Sequence, residues 1–163
     1  MAEYHLFSTW DLEAPVQTVW EAIKDAENYP RWWKYEKSVE LIEPAPPGQA
    51  TGAVYRYHMA SALPYSLSFN TRITRFEPPN LAEGTAEGEL DGVGVWELKQ
   101  MDGFTRLTYD WKVRTTKAWM NLLAPIARPV FTWNHFKVMS AGGQGLADYL
   151  GVKLLAMKHE TLA

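Results

Sequence analysis

The stretch DGFTRLTYDWKVR, residues 102–114, decides how the chain folds. Asp102-Gly103 is a hairpin turn signal, and the residues after it alternate. Leu107, Tyr109, Trp111 and Val113 share one parity, while Arg106, Thr108, Asp110 and Lys112 share the other. A period of two, with one apolar and one charged face, predicts an antiparallel strand that is packed on one side and wet on the other. Upstream, residues 93–101 read as its partner strand, introduced by Asp91-Gly92, a second turn signal of the same kind.

The pattern continues toward the N-terminus. Residues 81–90 set Glu83, Glu87 and Glu89 against the small residues Ala82, Gly84, Ala86 and Gly88. Residues 65–77 carry Leu67, Phe69, Thr71 and Ile73 on one parity and stop at Pro78-Pro79. Residues 52–60 carry Tyr55, Tyr57 and Met59 together. Residues 36–43 end in Pro44-Ala45-Pro46-Pro47-Gly48, which cannot join a central ladder. A first strand is predicted over 4–12, with Leu6, Trp10 and Leu12 opposite His5, Thr9 and Asp11. Pro15 suits a first helical turn, and Val16, Val19, Trp20 and Ile23 follow at helical spacing, so 15–25 is an amphipathic helix. Asn28 to Trp33 read as a short second helix with Pro30 near its start.

Toward the C-terminus the period changes. Across 117–150, Phe131, Asn134, Val138, Ala141, Gly145 and Tyr149 recur at steps of three or four, which marks one face of a long helix. Pro125 and Pro129 predict a kink or interruption near its beginning. Residues 1–155 are expected to form a single domain, with 156–163 as a C-terminal tail. The order is strand, two short helices, six strands, long helix. A sheet with one apolar face must be covered, and only the long helix can do so. The expectation is an α+β domain: a curved antiparallel sheet of about seven strands around the C-terminal helix, with a cavity between them.

Composition narrows function by exclusion. Apolar residues make up 47% and charged residues 21% of the 163, an ordinary globular balance. Aromatics reach 13%, with eight Trp and eight Tyr, enough to fill a core or line an apolar site. A net charge of −3, with no cluster of Lys and Arg, argues against nucleic acid as a partner. The absence of cysteine removes disulfides, thiolate metal sites and thiol nucleophiles. His5, His58, His135 and His159 show no metal-ligand spacing, so neither metal nor cofactor is expected. The first five residues lack signal-peptide character and no apolar run reaches membrane-spanning length, so a cytoplasmic location is expected.

Local motifs add a resemblance. Leu12-Glu13-Ala14-Pro15 leading to Val19-Trp20 is similar to an A-P-x-x-x-V-W junction, and Asp25 to Trp32 to a D-x-x-x-Y-P-x-W stretch. Val54 after Gly52, Ile73 through Pro79, and Gly145-Leu146 fit the same pattern. The chain thus resembles the START-like superfamily that includes the polyketide cyclase/dehydrase (SRPBCC) group. The resemblance implies a helix-grip fold. Members bind sterols, lipids, quinones, polyketides or plant hormones, act as cyclases or dehydratases, or serve as co-chaperone modules.

Parity then nominates site residues. Tyr55, Tyr57, Phe69, Trp96, Tyr109 and Trp111 from the strands, with Phe131, Asn134 and Val138 from the helix, are the candidate walls of a pocket for a hydrophobic ligand. Each aromatic has ordinary core packing as its alternative. Tyr109 and His135 are the candidate acid–base groups should the pocket catalyse a cyclisation or dehydration. Arg56, His58, Asn70 and Arg72 alternate against apolar neighbours and belong on the outer face, unless a bulge turns Arg72 inward. Gly142, Gly143 and Gly145 lie inside the helix, which implies either close approach to the sheet or Trp20, or room for ligand. The apolar segment 118–133 is read as a buried helix start, a mobile cover, or a transient membrane contact. The oligomeric state is left open.

Overall fold

A computed structural model describes residues 2–163. One antiparallel sheet of eight strands runs β1 (Glu3–Leu12), β2 (Glu36–Glu43), β3 (Val54–Met59), β4 (Leu67–Glu77), β5 (Leu81–Gly88), β6 (Leu90–Gln100), β7 (Thr105–Thr115) and β8 (Leu154–Thr161). Helix α1 (Val16–Ile23) and a 3-10 helix (Ala26–Arg31) follow β1, and α2 (Ala118–Leu150) precedes β8. The spatial order is β2-β3-β4-β5-β6-β7-β1-β8. Consecutive strands are therefore neighbours from β2 to β7, the meander that alternation with regular turns implies.

Residues 156–163, expected as a tail, instead supply most of β8, which pairs antiparallel with β1 (Trp10 opposite Met157, Thr9 opposite Lys158). As an outermost strand with Leu155 exposed, β8 shows little apolar periodicity. His159 latches it inward: Nδ1 is 2.8 Å from Ser8 Oγ on β1, and Nε2 is 2.8 Å from Ser140 Oγ on α2.

Two further expectations need correction. Asp91-Gly92 is not the turn before β6, because both residues already pair with Arg114 and Val113 of β7. The reversal falls at Gly88, whose φ of 127° takes the conformation that favours glycine, and Asp91 Oδ1 accepts from the Gly88 N–H. The inner face of α2 is also not the nominated stripe. Asn134 and Val138 are buried, but the face continues through Met139, Gly142, Gly143, Leu146 and Ala147, and Tyr149 is exposed. Steps of four carry the stripe away from Tyr149. Pro125 and Pro129 do not interrupt α2. Both are exposed, so water can satisfy the carbonyls that lose a helical partner.

The helical glycines are contact points, with tryptophans other than Trp20. A Cβ at Gly142 would stand 2.5 Å from Trp33 Cε2 and 2.9 Å from Trp10 Cη2. At Gly145 it would overlap the Trp32 carbonyl oxygen outright and reach 3.0 Å from its carbon. Trp33 Nε1 donates to the Val138 carbonyl at 2.7 Å, which locks the 3-10 segment against α2. Trp10, Trp20, Trp32 and Trp33 thus fill one end of the molecule solidly. A second buried cluster gathers Tyr4, Leu6, Phe69, Trp111 and Val113, yet space remains between the sheet and α2.

Candidate functional site: a cavity between sheet and helix

Between the concave face of the sheet and α2 lies a cavity of about 560 Å³, within the range typical of small-molecule sites. The sheet wall is a chain of ring contacts. Tyr57 stacks on Phe69 at 5.4 Å, Phe69 meets Trp111 at 6.1 Å, Trp111 stacks on Tyr109 at 5.7 Å, and Tyr109 meets Trp96 at 4.3 Å. Small residues leave the room in front of them: Ala82 and Gly84 on β5 and Gly94 on β6 all face the cavity. A Cβ at Gly94 would stand 2.9 Å from Trp111 Cε3, so the ring position depends on glycine there.

All nine residues nominated from parity line this cavity: Tyr55, Tyr57, Phe69, Trp96, Tyr109, Trp111, Phe131, Asn134 and Val138. Asn134 has structural work as well. Its Oδ1 accepts from the Ala62 N–H at 2.9 Å and its Nδ2 donates to Tyr65 Oη at 2.9 Å, tying the β3–β4 loop to α2 over one end of the cavity. Tyr65 in turn packs edge-on against Trp119 and Phe131.

The two acid–base candidates also reach the cavity wall, but their surroundings suit them poorly to proton transfer. Burial, with added repulsion from Glu36 and Asp110, raises the Tyr109 phenol far above its ordinary range. Burial and the nearby His159 imidazole lower His135 to about 3. Near neutral pH both are uncharged, and neither sits close to the pH at which a general acid or base is most effective. Arg72 does not supply a buried cation either. It lies on the outer face, paired with Glu43 at 3.1 Å. A bulge exists on β4, but between Ile73 and Arg75, after Arg72, and it is Phe76 that reaches the cavity.

One group was not visible from sequence. Glu36, the first residue of β2, is only 5% exposed and lines the cavity. Its Oε2 has no hydrogen-bond partner, and burial pushes its carboxyl up to about 8. In the strand pattern Glu36 shares parity with Ser38 and Glu40, so alternation places it outside. A register shift between Glu36 and Ser38 turns it inward while Val39 remains buried. Among the described residues no group of three or more His, Asp or Glu converges as a metal site.

The family model described as polyketide cyclase/dehydrase and lipid transport matches residues 12–141. The chain belongs to that family. The match runs from the end of β1 into the middle of α2 and so includes the whole aromatic wall. No curated protein matches the chain in sequence. Among solved structures, a START superfamily protein from Mycobacterium smegmatis is similar with a TM-score of 0.73 at 15% identity, over 90% of this chain and 97% of that one. An aromatase/cyclase from Streptomyces sp. R1128 is similar with a TM-score of 0.64 at 16% identity, over 92% and 94%. A major latex-like protein from Panax ginseng is similar with a TM-score of 0.70 at 8% identity, over 94% and 99%. At such identities these likenesses show the helix-grip fold and nothing finer. For a polyketide cyclase/dehydrase family member, the chemistry of the cavity must decide the rest.

Proposed function

We propose that this protein binds a hydrophobic small molecule, such as an aromatic metabolite, polyketide or lipid, in the cavity between sheet and α2. The observation that carries the reading is an unfilled space of about 560 Å³ with a continuous aromatic wall. A protein with this many Trp and Tyr residues had the means to fill its interior, and it does so around Trp10, Trp20, Trp32 and Trp33. An interaction module working through its surface has no use for such a space. Protein purified from its own host is expected to carry an organic-extractable compound, seen as a mass shift in native mass spectrometry. Ligand-free protein that also takes up no apolar compound would remove the reading.

A second reading, a cyclase or dehydratase acting on a bound substrate, is favoured by Glu36, a cavity group whose carboxyl burial raises to about 8. Tyr109 and His135 do not support it, for the reasons given above. Conversion of an extracted compound by the native protein but not by Glu36→Gln would establish it.

The outer face of α2 suggests where ligand is exchanged. Trp119, Leu122, Leu123, Ile126, Val130 and Trp133 form an exposed stripe, with Leu122 80% and Ile126 84% accessible. Between 118 and 147 the only charged residues are Arg128 and Lys137, both cationic. An apolar stripe flanked by cations suits the interface of an anionic membrane. The protein is expected to co-sediment with phosphatidylglycerol vesicles, with a fluorescence blue shift from Trp119 and Trp133. Leu122→Asp combined with Ile126→Asp should weaken binding about tenfold or more, since each removes apolar burial and adds repulsion. Unchanged sedimentation of the double variant would show that α2 is not the contact.

A further inference from the structure

The cavity wall carries an acidic side chain for which the described residues provide no partner. Glu36 is buried at the start of β2, its Oε2 is unsatisfied, and no Lys, Arg or His forms an ion pair with it among the described residues. A buried polar atom left unpaired is destabilising, and such atoms in native proteins call for an explanation. We propose that the Glu36 carboxyl, in its neutral form, donates a hydrogen bond to a carbonyl oxygen of the ligand, so that the cavity selects uncharged, carbonyl-bearing aromatic compounds over organic anions. This rests on the ligand-binding reading above and deepens it.

The surroundings of Glu36 argue for an acceptor on the ligand. The Tyr29, Tyr57 and Tyr109 phenols lie close enough to feel its charge. Tyr29 Oη is committed, donating to the Ile23 carbonyl at 2.6 Å. The Tyr57 and Tyr109 hydroxyls line the cavity and have no partner among the described residues. The cavity lining thus offers O–H groups from Glu36, Tyr57 and Tyr109, and a carbonyl oxygen has two lone pairs with which to accept from such donors. A ligand carboxylate would find no cation there. Lys24 also lines the cavity, but its ammonium is paired with Glu21 at 2.7 Å. Glu83, the other acidic group at the wall, accepts from Thr74 Oγ1 at 2.8 Å. His135, from α2, is neutral, and burial raises the Glu36 carboxyl to about 8, so it carries its proton at physiological pH.

Four matched probes test this by calorimetry on the full chain: 2-acetylnaphthalene, 2-ethylnaphthalene, 2-naphthoate and 1-(2-naphthyl)ethylamine. At pH 7 the acetyl compound is expected to bind roughly tenfold tighter than the ethyl compound, the effect of about one net hydrogen bond, and the carboxylate weakest. Glu36→Leu should reduce the preference for acetyl over ethyl several-fold while retaining binding of both, the Tyr57 and Tyr109 hydroxyls still being present. Glu36→Gln, which keeps an N–H donor, should preserve it. Raising the pH to 9.5 should diminish the preference in the native protein and leave it intact in Glu36→Gln. Equal affinity for acetyl and ethyl compounds, or a preference undiminished in Glu36→Leu, would overturn the assignment while leaving the ligand-binding reading in place. Tightest binding of the amine would overturn it in favour of an ionised Glu36. If none of the four binds, both this inference and the reading beneath it fall.

Discussion

Replacing Gly145 by alanine is expected to lower Tm by about 6 °C or more, although alanine is the better helix former. In an unhindered helix interior the change would gain about 1 kcal/mol. Here the added Cβ overlaps the Trp32 carbonyl oxygen. The Cβ is fixed in place by the helix and meets backbone, so no side-chain rotation relieves the clash, and α2 must move away from the segment that carries Trp32. Overpacking of this kind costs about 1–3 kcal/mol and more where nothing can yield. The displacement also strains the Trp33–Val138 hydrogen bond at 2.7 Å. A net loss of about 2 kcal/mol or more follows, which for a chain of this length corresponds to the stated shift. Gly143→Ala is the control. Its Cβ would stand 3.0 Å from the Trp10 ring, a side chain able to shift by tenths of an ångström, and the change in stability should stay within about 1 kcal/mol. Gly145→Ala melting at or above the native protein would show that the close approach of α2 does not hold.

Stability should fall as the pH rises from about 6.5 to 8, and Glu36→Gln should remove that fall. The folded carboxyl is raised to about 8 from an ordinary 4.5, so over that interval the folded chain holds a proton that the unfolded chain has released. Stability is then fully present below 4.5 and is lost as the pH climbs through 8, with a slope of at most about 1.4 kcal/mol per pH unit. His135 acts in the opposite sense. Lowered from 6.5 to about 3, it adds stability that is present above 6.5 and lost on acidification. The two oppose each other between 4.5 and 6.5, which leaves the region above 6.5 to Glu36. The native Tm is expected to drop by about 5 °C between pH 6.5 and 8, while Glu36→Gln stays level. Parallel melting profiles for the two proteins would mean that Glu36 is ionised, and solvated, in the fold.

Parity carried the sequence reading far because the cavity lies on the one face to which parity points. Tyr109 and Trp111 alternate with Thr108 and Asp110, so knowing that one face is apolar places both rings against α2. The same logic reached Tyr57, Phe69 and Trp96. It failed where the period breaks. Glu36 sits beside a register shift, and a one-residue irregularity reverses which face a side chain serves. Asp91-Gly92 has the composition of a tight turn, but the Gly88 backbone made the reversal first. The strand β8 was illegible for a different reason, since an outermost strand buries little and shows little pattern. That the interior is hollow depends on small residues opposite large ones, Gly94 beneath Tyr109 and Trp111, a pairing across strands that no linear pattern exposes.

The position of β1 has a consequence for biogenesis. It lies between β7 and β8, pairing Leu6 with both Trp111 and Thr161. β1 must therefore await strands translated well after it, β8 after all the others in this sheet, and none of the intervening hairpins can substitute. Contacts of such long sequence separation close slowly and leave strand edges open in the meantime. A nascent chain halted before residue 154 would present one side of β1 unpaired, and the same would hold for a product truncated there. Affinity tags and fusions are accordingly better tolerated at positions that leave Leu154–Thr161 free to dock.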